Sequence, residues 1–389
     1  MMVNFRYDIP TQVYFGKGQI AKLAACVTRL GSSVLLCYGG GSIKKTGLYD
    51  TVVHALSEAG VRVVELSGIE PNPRVTSVNE GVRLIRAHQL EVVLAVGGGS
   101  VIDCAKVIAA SADYDGDAWE IVRDGKKIKN VLPIVSVLTL SATGSEMDSG
   151  AVISNPATGE KWAVGHRGMF PRYSILDPTY TYTVSKYQTA AGTADIMSHI
   201  FEVYFSRVSG SYTQDRMSEA LLKTCIEYGP VAMAEPENYD ARANLMWTSS
   251  LAINGLLSFG KGGAWSAHAM EHPLSGIYDI THGAGLAILT PHWMRYILNE
   301  DTVGRFVEYG INVWGIDGTM DKYEIAHIAI DKTEEFFTQK LELPATLSEL
   351  GIDSTRFEEM AEQAVSADLE NSYVPLGVGD VMNIYMNAL

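Results

Sequence analysis

The feature that most constrains this chain is a regular alternation of strand and helix patterns near its N-terminus. The order is strand at 33–38, helix at 46–59, strand at 61–66, helix at 74–88 and strand at 91–96. Fully apolar strands that alternate with helices form parallel sheets covered on both faces. The sequence therefore predicts an α/β domain built on a parallel sheet.

The pattern changes further along the chain. Residues 131–137 predict another buried strand, and residues 151–164 predict a hairpin whose turn contains Asn155, Pro156 and Gly159. A short strand at 174–176 closes this half. After residue 185 strand signals fade, and the stretches 188–205, 215–228 and 241–257 have the apolar spacing of helices. We predict an α/β domain at 1–185 and an all-α domain at 186–389.

Composition excludes several classes of protein. The chain has 389 residues, of which 47% are hydrophobic and 19% are charged, so two folded domains are expected and disorder is not. The net charge of -15 opposes contact with nucleic acid or anionic lipid. The N-terminus lacks the apolar stretch of a secretory signal, and the apolar run at 131–140 is too short to span a bilayer.

Cysteine usage bears on the compartment. The four cysteines, Cys26, Cys37, Cys104 and Cys225, are scattered without a CxxC pair. This suits a reducing compartment better than a disulfide framework. We expect a cytoplasmic protein without a nucleic-acid or membrane partner.

Histidine and aspartate residues form the strongest chemical signal. Asp195 and His199 are four residues apart in a predicted helix, which places both side chains on one face. His268, His272 and His282 bring three of the nine histidines into 15 residues. A lone histidine is more often a core or surface residue, but this constellation favours a divalent transition ion, iron(II) or zinc.

A glycine cluster follows the strand at 91–96. Gly97, Gly98 and Gly99 lack side chains, which lets backbone N–H groups approach a pyrophosphate. Ser100 and Asp103 have two interpretations, since they could also form a capping box at the start of the next helix. The GxGxxG fingerprint is absent, so the cluster alone predicts only phosphate binding.

A similar cluster follows the strand at 33–38. Gly39, Gly40, Gly41 and Ser42 precede Lys44 and Lys45. Enzymes that use NAD often place a carboxylate here to hold the ribose 2′-hydroxyl, and we find none in this segment. The sequence therefore favours NADP(H), with Ser42 and the lysines as candidate contacts of the 2′-phosphate; the alternative is a flexible turn with solvated lysines.

Small hydroxyl side chains follow the strand at 131–137. Thr139, Ser141, Thr143 and Ser145 lie in one loop beside Gly144. Such donors at the carboxyl edge of a parallel sheet fit a ligand crevice, although a polar turn is the plainer interpretation. We predict Thr139 and Thr143 as cofactor contacts.

Four segments together resemble a known family. GGGSVID at 97–103, ATGSE at 142–146, DIMSH at 195–199 and the block from His268 to His282 resemble the iron-containing alcohol dehydrogenases over nearly the whole chain. The segments YGGGSIKKTG and IEPNP are similar to the NADPH-using butanol dehydrogenases and broad aldehyde reductases in that family. Ser141 and Asp148 depart from the proline and asparagine that many relatives carry there.

The resemblance implies a fold, a site and an activity. The fold is a Rossmann-like dinucleotide-binding domain followed by a helical domain, shared with dehydroquinate synthase-like enzymes, with metal and nicotinamide meeting in a cleft. Two further residues acquire roles, Lys161 near the cofactor and His272 as a proton relay rather than a metal ligand. The metal ligands implied by the family are Asp195, His199, His268 and His282.

The implied function is an NADP-dependent alcohol dehydrogenase, or aldehyde reductase, acting on small primary alcohols and aldehydes such as butanal. A homodimer is the expected assembly. Two alternatives remain open from the sequence: a lyase similar to dehydroquinate synthase, using NAD and metal, and a non-catalytic protein that binds metal and nucleotide. The lyase needs basic residues to clamp an anionic substrate, and the histidine block carries no Arg or Lys cluster, whereas Trp265, Leu274 and Tyr278 suggest an apolar lining.

Overall fold

The computed structural model describes all 389 residues, Met1–Leu389. It contains eight strands: β1 Gln12–Phe15, β2 Ser33–Tyr38, β3 Arg62–Leu66, β4 Val92–Gly97, β5 Ile134–Leu138, β6 Gly150–Asn155, β7 Glu160–Gly165 and β8 Tyr173–Leu176. The α-helices of the first half are α1 Leu23–Thr28, α2 Ser42–Lys45, α3 Leu48–Glu58, α4 Val75–His88, α5 Gly99–Ser111 and α6 Ala118–Arg123. Those of the second half are α7 Lys186–Tyr204, α8 Tyr212–Ala234, α9 Tyr239–Ile253, α10 Ser266–Tyr278, α11 His282–Ile297, α12 Val303–Trp314, α13 Lys322–Glu335, α14 Phe357–Ser366 and α15 Val378–Asn387.

The chain divides into two compact units. One is Asp8–Thr183, and the other joins Met1–Tyr7 to Val184–Leu389. All eight strands belong to the first unit, and α7 to α15 belong to the second. The predicted combination of a parallel-sheet domain and a C-terminal helical domain is confirmed. No helix of the chain has both the length and the apolar character needed to cross a membrane.

The first seven residues differ from the prediction, which placed them with the α/β domain. They pack on the helical unit because their apolar side chains find aromatic partners there. The backbone N–H of Val3 donates to Gly260 O at 2.9 Å. The ring of Phe5 stacks on Phe259 with centroids 5.6 Å apart.

Six strands form one parallel sheet in the order β1-β8-β5-β4-β2-β3. The chain runs from β2 outward to β3 and then returns past β2 to β4, so the direction of winding reverses between β2 and β4. Ligands of open α/β sheets bind at such a switch point, beyond the carboxyl ends of the strands. Tyr38, the last residue of β2, is in register with Val96, and Gly97, the last residue of β4, is in register with Leu138.

The core of the helical unit surrounds α7. This helix is buried at every position from Thr189 to Tyr204, which is typical of a central helix rather than a surface helix. α7 packs against α8, α9, α10 and α11. Polar side chains on its inner positions are therefore removed from water and need specific partners.

Several element boundaries differ from the sequence-based expectations. The helix predicted at 46–59 is α3, Leu48–Glu58, and it is preceded by the unpredicted short helix α2, with Gly47 at a positive φ of 77° between the two. The strand predicted at 131–137 starts three residues later, after Pro133, whose ring nitrogen has no hydrogen to donate to a neighbouring strand. β1 was not predicted from the sequence, because a strand of four residues is too short to show the alternation of apolar and polar residues. The hairpin β6–β7 forms as predicted.

Candidate functional site

Three helices bring the predicted metal-binding residues together. α7 carries Asp195 and His199 on one face, α10 carries His268 and His272, and α11 begins at His282. Asp195, His199 and His268 are each at most 5% exposed. Residues almost 90 positions apart in sequence thus meet inside the helical unit.

One carboxylate oxygen lies at the centre of this group. Asp195 Oδ1 is 3.7 Å from His268 Nε2, 3.8 Å from His282 Nε2 and 3.8 Å from His199 Nδ1. These distances are too long for hydrogen bonds. Ligand atoms on a tetrahedron with bonds of about 2.1 Å are about 3.4 Å apart, so the spacing suits a shared ion.

The orphaned polar atoms support this interpretation. Asp195 Oδ1, His199 Nδ1 and His268 Nε2 are buried and have no hydrogen-bond partner. Buried polar atoms without partners are costly, and an ion bound between them removes that cost. The donor set of one carboxylate and several imidazoles is the one expected for zinc or iron(II).

The four predicted ligands are not equivalent. Candidate ligand atoms of Asp195, His268 and His282 all lie within 4.8 Å of one another. His199 lies beside this trio, and its ring stacks on the ring of His268 with centroids 4.6 Å apart and planes 23° apart. The structure thus brings all four residues into one cluster with three of them most closely convergent.

Electrostatics within the cluster are strongly perturbed. Burial acts to raise the pKa of Asp195, but the three imidazoles outweigh it and hold this pKa below its ordinary value. Burial lowers the pKa of His199 to about 3, despite the nearby carboxylate. Burial also disfavours charge on His268, yet the nearby carboxylates of Asp195 and Glu202 outweigh it and raise the pKa of His268 to about 9. At neutral pH the imidazole of His199 is therefore neutral and keeps one ring-nitrogen lone pair that can bind an ion.

A second group of possible ligands consists of Glu271, His272 and His282. Both oxygens of Glu271 already have partners, because Ser275 Oγ donates to Oε1 and His282 Nδ1 lies at hydrogen-bond distance from Oε2. This arrangement is a carboxylate–imidazole hydrogen bond and not an open coordination site. His272 is half-buried, and its ring centroid is 5.7 Å from that of His282.

Sequence reasoning missed two buried glutamates of this cluster. Glu202 contacts His268, and Glu271 contacts His282. The signal was present for both, since Glu202 follows Asp195 by seven residues on the same helix face and Glu271 lies inside the histidine block. Of the suggested apolar lining, Trp265 is 42% exposed beside His268, whereas Leu274 is fully buried in the core.

In the α/β unit, the two glycine clusters and the hydroxyl-rich loop follow adjacent strands. Residues 39–42 follow β2, residues 97–100 close β4 and open α5, and residues 139–145 follow β5. Because β2, β4 and β5 are neighbours, all three segments lie at one edge of the sheet, at the switch point. The first turn of α5 presents backbone N–H groups toward this edge.

The glycines at 97–99 also have a packing reason. A Cβ on Gly99 would lie 2.6 Å from Cγ2 and 2.9 Å from Cβ of Thr143, and closer still to its hydroxyl. A Cβ on Gly98 would lie 3.2 Å from Leu140 Cβ. Absent side chains thus let the loop after β5 contact the start of α5 directly.

The capping-box interpretation of Ser100 and Asp103 is wrong. The helix starts earlier, with Gly98 as N-cap, so Ser100 lies in the first turn. Asp103 instead accepts hydrogen bonds from Ser145 Oγ at 2.5 Å and from the backbone N–H of Val152 at 2.8 Å. Burial raises the pKa of Asp103 to about 6, with Lys106 acting in the opposite direction.

Two more buried groups tie the same segments together. Lys106 Nζ is 2.5 Å from Asp148 Oδ1 and donates to Gly150 O at 2.7 Å. Lys161 Nζ donates to Asn72 Oδ1 at 3.0 Å. The loop after β5 and the hairpin β6–β7 are therefore anchored to α5 and to the loop before α4.

The segment at 39–45 contains a feature that sequence reasoning missed. Lys44 Nζ lies over the rings of Tyr38 and Tyr49, at 5.1 and 4.5 Å from their centroids. Both tyrosine hydroxyls donate to Glu65, each at 2.6 Å. Thus a carboxylate does lie beside the end of β2, contributed by β3, and Lys44 lies over the two tyrosine rings whose hydroxyls bind it. Ser42 and Lys45 are exposed.

Comparison with known proteins places this architecture in a family. The family model described as iron-containing alcohol dehydrogenase matches residues 10–178, and its C-terminal counterpart matches residues 189–389. NADH-dependent butanol dehydrogenase B of Clostridium acetobutylicum is 57% identical over the full length of both chains. NADPH-dependent aldehyde reductase YqhD of Escherichia coli is 42% identical over 91% of each chain. The crystal structure of NADH-dependent butanol dehydrogenase A from Thermotoga maritima superposes with a TM-score of 0.94, at 36% identity, over 100% of this chain and 99% of that one. This chain belongs to the iron-containing alcohol dehydrogenase family of oxidoreductases.

Proposed function

We propose that this protein is a metal-dependent oxidoreductase that transfers a hydride between NADP(H) and a small primary alcohol or aldehyde. The observation that carries the proposal is the position of Asp195 Oδ1, which lies 3.7–3.8 Å from three imidazole nitrogens and has no hydrogen-bond partner. Buried polar atoms without partners, gathered in one cluster with strongly shifted pKa values, support a functional site here.

The proposed ligands of the divalent ion, iron(II) or zinc, are Asp195, His199, His268 and His282. When bound, the ion supplies Lewis-acid polarisation of a carbonyl oxygen, and the nicotinamide supplies the hydride. The chain's own contribution is to hold these four side chains close together within the helical unit, with Asp195, His199 and His268 buried. Trp265, whose ring is 5.3 Å from that of His268, offers an apolar surface to an alkyl substrate.

We assign His272 to proton transfer. Its side chain is half-buried, and its ring lies 6.4 Å from the ring of His268 and 5.7 Å from that of His282. A histidine at this distance can exchange a proton with substrate oxygen, directly or through water, without occupying the ion's coordination sphere.

The proposed cofactor-binding residues lie in the three segments at the switch point. They are Gly39, Gly40, Gly41 and Ser42 after β2, Gly97, Gly98, Gly99 and Ser100 at the start of α5, and Thr139, Thr143 and Lys161. Asp103 acts differently from our first expectation, because its oxygens are engaged with Ser145 and Val152. Because each of its oxygens accepts a hydrogen bond from these two residues, we assign Asp103 to support of the loop after β5.

For the nucleotide, we propose that the loop at 39–45 accepts the 2′-phosphate of NADPH, so that NADPH is preferred to NADH as the reductant. Support comes from the absence of a carboxylate within the loop, from exposed Ser42 and Lys45, and from the two tyrosine hydroxyls that hydrogen-bond to Glu65. Ratios of kcat/KM for the two reductants test this. A higher kcat/KM with NADH than with NADPH in the reduction of butanal would contradict it.

Butanal and related straight-chain aldehydes are the proposed substrates, and a homodimer is the proposed assembly. In the N-terminal segment Met1–Tyr7, the side chains of Phe5 and Tyr7 are 50% and 63% exposed, and they offer an apolar surface to a second copy of the chain. Light scattering of the purified protein measures the assembly. We propose a cytoplasmic location on the ground that all four cysteines are unpaired thiols.

The experiment that tests the proposed function compares wild type with His268→Ala. Metal content and aldehyde-dependent oxidation of reduced nicotinamide are measured in the same preparations. We expect both to be lost together in the variant, with the fold retained by circular dichroism. Full activity in metal-free His268→Ala would refute the proposal, and aldehyde-independent turnover without net nicotinamide oxidation would favour the lyase.

A further inference from the structure

Two buried glutamates lie behind the imidazoles of the metal cluster, on the side away from Asp195. The side chains of Glu202 and Glu271 are 1% and 0% exposed. Buried carboxylates are costly unless they are paired and hydrogen-bonded. The groups that each glutamate contacts therefore indicate its role.

Glu202 holds both the backbone and the ring of His268. Its Oε1 accepts from the His268 N–H at 2.9 Å and lies 3.0 Å from His268 Nδ1, while Oε2 accepts from the Ser266 N–H at 2.6 Å. These N–H groups belong to the first turn of α10, where a negative charge is favoured by the helix dipole. The opposite nitrogen of the ring, Nε2, faces Asp195 Oδ1.

Glu271 holds His282 in the same way. Its Oε2 is hydrogen-bonded to His282 Nδ1, its Oε1 accepts from Ser275 Oγ, and His282 Nε2 faces Asp195 Oδ1. Gly285 permits this close approach. A Cβ there would lie 2.9 Å from Glu271 Cγ and 3.0 Å from Glu271 Oε1.

The two glutamate–histidine pairs connect three helices. α7 supplies Glu202 to the imidazole on α10, and α10 supplies Glu271 to the imidazole on α11. Each imidazole that donates its Nδ1–H to a carboxylate presents the Nε2 lone pair on its other side and becomes a better ligand. The same contacts fix the orientation of each ring.

We propose that Glu202 and Glu271 are positioning residues that fix the Nε2-ligating tautomer and orientation of His268 and His282 and so strengthen metal binding. This inference rests on the proposed metal site. Neither glutamate is itself a ligand, and the chain binds one ion, not a second ion at Glu271, His272 and His282.

The test measures the Kd for zinc by chelator competition in wild type, Glu202→Gln and Glu271→Gln, together with the number of ions bound. We expect each substitution to raise the Kd by about 10–100-fold with one ion still bound. The d–d absorption spectrum of cobalt-loaded protein should change in both variants, since the ring orientation changes. Glu219→Gln is the matched control, because Glu219 is a buried carboxylate whose partners are Tyr204, Arg216 and Asn312.

Two variants that leave both glutamates in place keep the inference testable if Glu202→Gln or Glu271→Gln does not fold. Ser275→Ala removes one hydrogen bond to Glu271, and Gly285→Ala displaces this carboxylate; both should raise the zinc Kd. Values in folded Glu202→Gln and Glu271→Gln within threefold of both wild type and the Glu219→Gln control would overturn the inference. Two ions per wild-type chain would overturn the role of Glu271. Wild type that binds no metal would refute the proposed function itself and this inference with it.

Discussion

The contact between α11 and α7 should be the most sensitive to a single added methyl group. Gly283, directly after His282, packs against the backbone of Ala191 one turn before Asp195. A Cβ at Gly283 would lie 2.6 Å from the carbonyl carbon and 3.1 Å from the Cα of Ala191, and closer still to the carbonyl oxygen. Ordinary contacts between carbon atoms are about 3.5–4.0 Å. Gly283→Ala therefore forces the two helices apart by roughly 1 Å.

The size of the effect on stability and catalysis depends on which parts of the structure are displaced. Overpacking of this kind costs about 1–3 kcal/mol of stability. Gly283 follows His282 directly, and Ala191 precedes Asp195 by one turn, so the same shift separates His282 Nε2 from Asp195 Oδ1, now 3.8 Å apart. A misplacement of about 1 Å costs catalysis on the order of 100-fold. We expect lower stability, weaker zinc binding and lower kcat together.

Gly310→Ala is the matched control. Gly310 lies on α12, and an added Cβ would meet Ile325 Cγ2 at 2.7 Å, so this variant also overpacks a helix contact but carries none of the proposed ligands. It should lower the melting temperature while leaving the zinc Kd unchanged. Thermal unfolding and chelator competition on both variants provide the comparison. If Gly283→Ala retains wild-type stability and zinc affinity, the reasoning from this contact is refuted.

Three further predictions concern His272 in the helical unit and Gly99 and Asp103 in the α/β unit. His272→Ala should retain its metal but lose turnover by about 10²–10⁴-fold, and unchanged kcat across the pH range would remove this residue from proton transfer. Gly99→Ala should raise KM for the nucleotide without affecting zinc binding, because the added Cβ pushes against Thr143; an unchanged KM would contradict its role. The raised pKa of Asp103, about 6, means that its protonation stabilises the fold below about pH 4 and that this contribution is lost as pH rises through about 6. The free energy of unfolding of Asp103→Asn, measured relative to that of wild type, should therefore rise by up to about 3 kcal/mol as the pH is raised from about 4 to about 6. Melting-temperature profiles of the two proteins that stay parallel over this pH range would contradict this.

The sequence predicted most of the fold because strand and helix periods are local properties. The strands at 33–38 and 91–96 and the hairpin turn at Asn155 to Gly159 all carry short-range signals. The order of the strands was not predictable in this way, since pairing between β2 and β4 depends on contacts distant in sequence. Only the sheet order shows that the two glycine clusters follow neighbouring strands.

The sequence indicated the clustered aspartate and histidines but not the glutamates behind them. Asp195 and His199 share a helix face, which spacing reveals, and the histidine block is visible as local density. Glu202 and Glu271 look like ordinary charged helix residues until packing places each against an imidazole. Glu65 was missed for the same reason, because it reaches the end of β2 from a different strand.

The central claim is that the cluster around Asp195 holds an ion required for nicotinamide-dependent reduction of an aldehyde. The most direct test strips the protein of metal, reloads it anaerobically with iron(II) or zinc in separate samples, and follows absorbance of NADPH and of NADH with butanal. We predict no oxidation in the stripped protein and its return on reloading with at least one of the two ions. Equal rates in stripped and reloaded protein, or no oxidation with either reductant at full metal occupancy, would contradict the account.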